Sequence, residues 1–196
     1  MYELPTSITI QEQSFAIRAA GDYRMVLDCF NVLNDLELND MEKAYACLII
    51  FYEDINSIED LNKFPDMEEA IEKMYTFFDG DMPKAQNNNP KNYRLVDWEG
   101  DSMLISSAVN QVAGKEIRAE KYVHWWTFLA YYMAIGDCAL STVVSIRYKI
   151  ATGKALDKTE KKFKYENPQY FTFDVRSIEQ QQEDAYVRSL WNSGKG

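Results

Sequence analysis

The chain has one histidine, His124, and it lies inside the most apolar run of the sequence, residues 122–137. A Ser-His-Asp triad would have to be assembled around it. Its neighbours Val123, Trp125 and Trp126 are apolar or aromatic, and no partner residues complete a site. The pattern therefore favours a histidine bonded within the core. Carboxylates are more plentiful. Asp97 and Asp101 stand four apart and would share a helix face, as would Glu120 and His124. Two helices presenting acids and a histidine can bind metal, but di-metal bundles use Glu-x-x-His, and Glu120 is one residue too far from His124. Acids at a helix start, favoured by the macrodipole, account for Asp97, Glu99 and Asp101 without a ligand.

Other chemical motifs are incomplete. Glu69-Ala70-Ile71-Glu72 matches half of the signature of all-α nucleotide pyrophosphohydrolases, but the second half fails because Ser102 follows Glu99 three residues on. Gly153-Lys154 would need glycine at 148 and Ser or Thr at 155 to make a phosphate loop, and those positions are Tyr148 and Ala155. There is no G-x-G-x-x-G and no G-x-S-x-G. The residues spell no complete cofactor, metal or catalytic motif. An all-α metal-dependent hydrolase is the enzymatic alternative.

The elements that must position these residues follow from composition and periodicity. With 196 residues, 46% of them hydrophobic, the chain can bury a real core. Its net charge of −10 argues against nucleic acid, whose phosphates need clustered Lys and Arg. The charge is unevenly spread: residues 28–101 hold 18 acids against 6 bases, and residues 147–164 hold 7 bases against 2 acids. The candidate partner-binding basic patch is Lys149, Lys154, Lys158, Lys161, Lys162 and Lys164. Opposite-sign patches suit self-docking or a charged protein partner, so a homo-oligomer is open. Cys29, Cys47 and Cys138 form no C-x-x-C pair and read as buried thiols in a reducing compartment. No signal peptide is expected from Met1–Thr6. Residues 125–146 carry one charge, Asp137, yet an aspartate near a bilayer centre costs about 2.5–3.5 kcal/mol. Two buried helices joined at Gly136-Asp137 explain the run better than a membrane span.

The expected fold is mainly α, a multi-helix bundle with a small N-terminal β-hairpin. Ile8-Thr9-Ile10 and Phe15-Ala16-Ile17 alternate like strands, giving a hairpin at about 8–17. Asp22, the pairs Asn39/Glu42, Ser57/Asp60 and Asp66/Glu69, and later Asp157/Glu160 all read as helix starts, with Gly80 and Gly114 as stops. Residues 80–94 read as an exposed loop. Asp97–Ala113 reads as a helix, and the focal helix spans about Glu120 to Ile135, apolar on most sides. Gly136 fits its C′ position and Asp137 the cap of a helix from Cys138 to about Ala151. Lys158–Lys164 is a basic helix stopped by Asn167-Pro168, Tyr170–Val175 alternates like a strand, and Ser177–Trp191 could close the chain as a short helix. The organisation implied is one helical domain over 1–166 and a partly flexible extension over 167–196.

At Asp97-Trp98-Glu99 and Tyr122-Val123-His124-Trp125-Trp126-Thr127-Phe128-Leu129 the sequence resembles the bacteriophage gene-product-fifteen family of siphophages and Gram-positive prophages. The signature continues through Ile135-Gly136-Asp137, residues 141–147 ending in Arg147, and Gly153-Lys154-Ala155-Leu156, and the likeness covers about residues 7–166. Asp97, Trp98, His124, Trp125, Trp126, Gly136, Asp137 and Arg147 are its signature and core residues. The family's genes lie between those for the major tail protein and the tape-measure protein. The resemblance thus implies a non-enzymatic tail assembly chaperone of the host bacterial cytoplasm, absent from the mature virion. Its implied partners are the tape-measure protein and the tail-tube protein, with no nucleic acid and no membrane. A structural tail component retained in the virion is the other reading.

Overall fold

The computed structural model describes residues 3–35, 37–82 and 93–172. The fold is mainly helical, with seven α-helices and one two-stranded hairpin among the described residues. The chain clusters into two compact units, residues 1–85 with 109–135, and residues 86–108 with 136–196.

In the first unit, β1 (Ser7–Ile10) pairs antiparallel with β2 (Gln13–Ala16), Ile10 opposite Gln13 and Ser7 opposite Ala16. The turn is shorter than the sequence suggested. Only Gln11 and Glu12 are out of the ladder, with φ of 41° and 69°, the left-handed pair whose twist matches that of the strands. Helix α1 (Tyr23–Leu33) starts where expected, with Asp22 accepting from the Arg24 amide at 3.0 Å. Helix α2 (Asp40–Phe51) has the reciprocal box read from the sequence, Glu42 N–H to Asn39 and Asn39 N–H to Glu42. Asp66 caps α3 (Met67–Phe78), and Gly80, at φ +70°, closes its end. The Ser57/Asp60 signal yields only a 3-10 turn, Glu59–Lys63. Asp60 is committed to the Asn56 amide and to Lys63, and Pro65 follows at once.

Burial follows the apolar stripes. Val26 and Cys29 of α1, Cys47, Leu48 and Phe51 of α2, and Ala70 and Met74 of α3 are buried. Cys29 and Cys47 are free buried thiols, each bonded to the other's carbonyl. Arg18, in the turn after β2, donates to the carbonyls of Ile49, Ile50 and Tyr52, closing the C-terminal end of α2 with a cation.

Helix α4 (Ser102–Ala113) starts five residues later than expected, because Asp97–Asp101 folds into a turn. There the Asp101 amide donates to the Asp97 carbonyl at 2.8 Å, and the Asp101 carboxylate accepts from the Asp97 amide at 2.9 Å. The focal helix is also shorter. Ile117–Ala119 is a 3-10 turn, Glu120–Val123 is not helical, and α5 is Trp125–Met133 with His124 as its cap. Glu120 and His124 therefore do not share a helix face.

In the second unit, α6 (Ala139–Ala151) is capped at Cys138, one residue beyond the expected Asp137. The Cys138 amide donates to Ser141 Oγ at 2.8 Å, while the Ser141 and Thr142 hydroxyls return bonds to the Cys138 carbonyl. Gly136 and Asp137 are exposed, and Gly136 is not in a left-handed conformation. The apolar run 125–146 is thus divided between two helices, and no helix of the described residues is long and apolar enough to cross a membrane. Helix α7 (Lys158–Glu166) has the expected Asp157/Glu160 box and buries no residue. Pro168–Tyr170 is a 3-10 turn where the expected strand would begin. The rest of that strand, the closing helix and loop residues 83–92 lie outside the described residues.

Candidate functional site

His124 is 1% exposed, and both ring nitrogens are occupied. Nδ1 accepts from the Trp126 amide at 3.0 Å, which satisfies an orphan donor at the start of α5. The proton therefore sits on Nε2, which donates to the Pro5 carbonyl at 3.0 Å. Burial pushes the pKa of His124 below its ordinary value, against smaller opposing effects of the Pro5 bond and Asp22. The ring is a neutral structural cap with no free nitrogen to take a substrate proton.

The two tryptophans that follow cap a different helix. The Trp125 indole donates to the Phe78 carbonyl at 2.9 Å, and the Trp126 indole donates to the Phe77 carbonyl at the same distance. Those carbonyls belong to the last two residues of α3, where no intrahelical amide is left to serve Phe78. Trp125 is 1% exposed and packs on Phe30 and Phe128. Trp126 is half-buried against Phe77. The expected all-round burial of this helix is not seen: Met133 and Ala130 are exposed, and Tyr131 and Tyr132 are half-buried.

Residues missed in the sequence complete the node. The Asp22 carboxylate accepts from the Val123 amide at 3.0 Å and is paired with Arg24, whose other arm reaches the Glu120 carbonyl at 2.7 Å. The Tyr23 amide donates to the Val123 carbonyl at 2.9 Å. Gly21, at φ +79°, passes so close that a Cβ would meet His124 Nε2 and Phe77 at 3.0 Å. Asp22 was legible as a cap. Its second bond, 101 residues along the chain, had no local signal.

In the second unit Asp97 and Asp101 do come together, through the bond from the Asp97 amide to the Asp101 carboxylate, and Asp101 in turn holds Arg147. The guanidinium is bidentate on Asp101, with Nη2 to Oδ1 at 2.9 Å, and donates to the carbonyls of Leu95 and Tyr170. Arg147 and Asp101 are 2% and 1% exposed, so each of these two buried charges has the other as its partner. Arg94 approaches Asp97 at 3.7 Å, and Trp98 sits half-buried in the same turn. Among the described residues, no group of three or more His, Cys, Asp or Glu is placed to hold a metal ion.

The basic patch is on the surface. Lys149 is paired with Glu160, Lys162 with Glu166 at 3.7 Å, and Lys154 lies 5.0 Å from the centre of the Tyr148 ring. Lys158, Lys161 and Lys164 are exposed and have no ion pair among the described residues. Tyr165, 85% exposed, stands among them. This cluster can meet an acidic surface, and the His124 node cannot do acid–base chemistry without losing its caps.

Residues 1–171 match the family model described as Bacteriophage Gp15 protein. The match extends past both ends of the resemblance read from the sequence. No curated protein and no solved structure matches the chain significantly.

Proposed function

This chain belongs to the Bacteriophage Gp15 protein family, and from that premise we propose that it is a non-enzymatic tail assembly chaperone. It binds the tape-measure protein in the host cytoplasm, keeps that long chain soluble, helps recruit tail-tube subunits and is left out of the finished virion. The observation that carries the reading is the family match over residues 1–171. The roles of the signature residues support it: His124, Trp125, Trp126 and Arg147 are all spent on helix ends and buried bonds. The free chemistry lies on surfaces, with acids concentrated in residues 28–82 and a basic patch around α7. Head-to-tail contact between these patches would line copies up along a client without closing a ring.

Co-expression with a tape-measure fragment tests the proposal. The fragment should become soluble and co-purify with the chain; an insoluble fragment with no complex would contradict the reading. Mass spectrometry of purified particles tests the second part, since a chaperone should be absent and a structural tail component present.

A further inference from the structure

The two edges of the hairpin are treated differently. The outer edge of β2 is covered: the Ala16 carbonyl accepts from the Glu53 amide at 3.0 Å, and Ile17 bridges to Tyr52. The outer edge of β1 is not. A two-residue turn makes Ile10–Gln13 a hydrogen-bonded pair, and alternation then assigns Ile8–Phe15 as the next. The bond from the Ile17 amide to the Thr6 carbonyl keeps the same phase. Residues 5, 7 and 9 therefore direct their backbone groups away from β2. The Pro5 carbonyl is taken by His124, whereas Ser7 and Thr9 are exposed, with no hydrogen bond to their outward groups among the described residues.

This open edge is short and begins at Pro5, but its open part carries no other blunting device. Residues 7–10 read Ser-Ile-Thr-Ile, without charge, proline or bulge. Beside it is a mostly apolar pocket of about 220 Å³ lined by Pro5, Ile8, Thr9, Lys73, Phe77 and Trp126, with Asp81 also in its wall. A strand laid along β1 would place alternate side chains over Phe77 and Trp126. The compact unit that carries this edge is acidic, which selects the partner further. Residues 28–82 hold 15 acids and 3 bases, and two of those bases are already paired, Lys63 with Asp60 and Lys73 with Glu69.

We propose that the outer edge of β1 is a docking strand for an extended basic peptide segment of a protein partner. Backbone bonds at Ser7 and Thr9 hold it in register, and an aliphatic side chain fills the pocket beside Trp126. Affinity comes from main-chain bonds and specificity from the pocket and the negative charge of this unit. This inference stands apart from the chaperone reading, because it fixes the chemistry of an occupant and not its identity.

The test uses the full chain and three capped hexapeptides: Lys-Val-Lys-Val-Lys-Val, the same peptide N-methylated at every amide, and Glu-Val-Glu-Val-Glu-Val. The first should bind and should slow hydrogen exchange at the Ser7 and Thr9 amides. The other two should bind more weakly by about tenfold or more, the cost of losing one or two backbone bonds or the charge match. Thr9→Pro removes an outward donor and leaves the β1–β2 ladder intact, so it should weaken the first peptide by about tenfold. No binding up to about 1 mM, equal binding of the N-methylated peptide, or preference for the Glu peptide overturns the proposal. So does unchanged binding by a Thr9→Pro protein that melts as wild type. If that variant does not fold, the peptide comparison on wild type decides alone.

Discussion

The His124 node of the first unit and the Asp101–Arg147 pair of the second solve one problem with opposite chemistry. Both serve backbone carbonyls with side chains drawn from far along the chain. In the first, neutral donors do it: the two indoles serve the end of α3, and the Nε2–H of an uncharged imidazole serves the Pro5 carbonyl. In the second, a buried guanidinium serves Leu95 and Tyr170 while Asp101 neutralises it. A neutral donor can be lost with the cost of one unsatisfied carbonyl. A buried charge cannot lose its partner so cheaply, because the survivor stays desolvated.

The largest expected effect comes from breaking the charged arrangement. Arg147→Ala should destabilise the protein by about 3–5 kcal/mol in denaturant unfolding. Pairing Arg147→Met with Asp101→Leu should recover part of that loss. If the double variant is no better than the single one, the carbonyl bonds and not the stranded charge carry the cost. Next is Trp125→Phe, which keeps an aromatic ring but strips the donor from the Phe78 carbonyl, for about 1–3 kcal/mol. Trp126→Phe should cost less, about 0.5–1.5 kcal/mol, because that site is half-buried and the Phe77 carbonyl keeps the Gly80 amide. Equal losses at the two positions would break the distinction drawn between them.

Acidity separates the two regions further. His124 has its pKa lowered by burial, so below its ordinary value of about 6.5 the unfolded chain binds more protons than the folded one. Stability should therefore fall as pH drops through that value and be flat above it as far as this group is concerned. Protonation would also aim Nδ1–H at the Trp126 amide, two donors facing each other. His124→Asn keeps a capping acceptor without the titration and should flatten melting temperature between about pH 7.5 and about pH 5.5. Exposed Glu116, held down to about 2 by Arg118, contributes stability that is lost only as pH falls from 4.5 towards that value. The smallest effect on stability belongs to α7. Reversing Lys158, Lys161 and Lys164 to Glu should change unfolding by no more than about 0.5 kcal/mol per site, while weakening any contact made with an acidic surface.

Local signals were legible and long-range ones were not. The caps at Asp22, Asn39, Asp66 and Asp157 each need only residues within one turn, and each was readable from spacing. The break between α5 and α6 was readable because Gly136 and Asp137 interrupt an apolar run. The start of α5 was misplaced by five residues. Residues 120–123 are held out of the helix by Asp22 and Arg24, about a hundred positions away. Asp97 and Asp101 looked like helix-start acids; Asp101 is in fact paired with Arg147, 46 residues on. The tryptophan pair marked the core from the sequence, but its bonds to the end of α3 span 47 and 49 residues and left no pattern to read.

The central claim is that the His-Trp-Trp signature builds the fold while exposed surfaces hold partners. Trp125→Phe, co-expressed with a tape-measure fragment and assayed below its own melting temperature, tests this most directly. Melting should fall while each folded molecule keeps as much client soluble as wild type does. Unchanged melting together with loss of the client would contradict the claim and make Trp125 a binding residue.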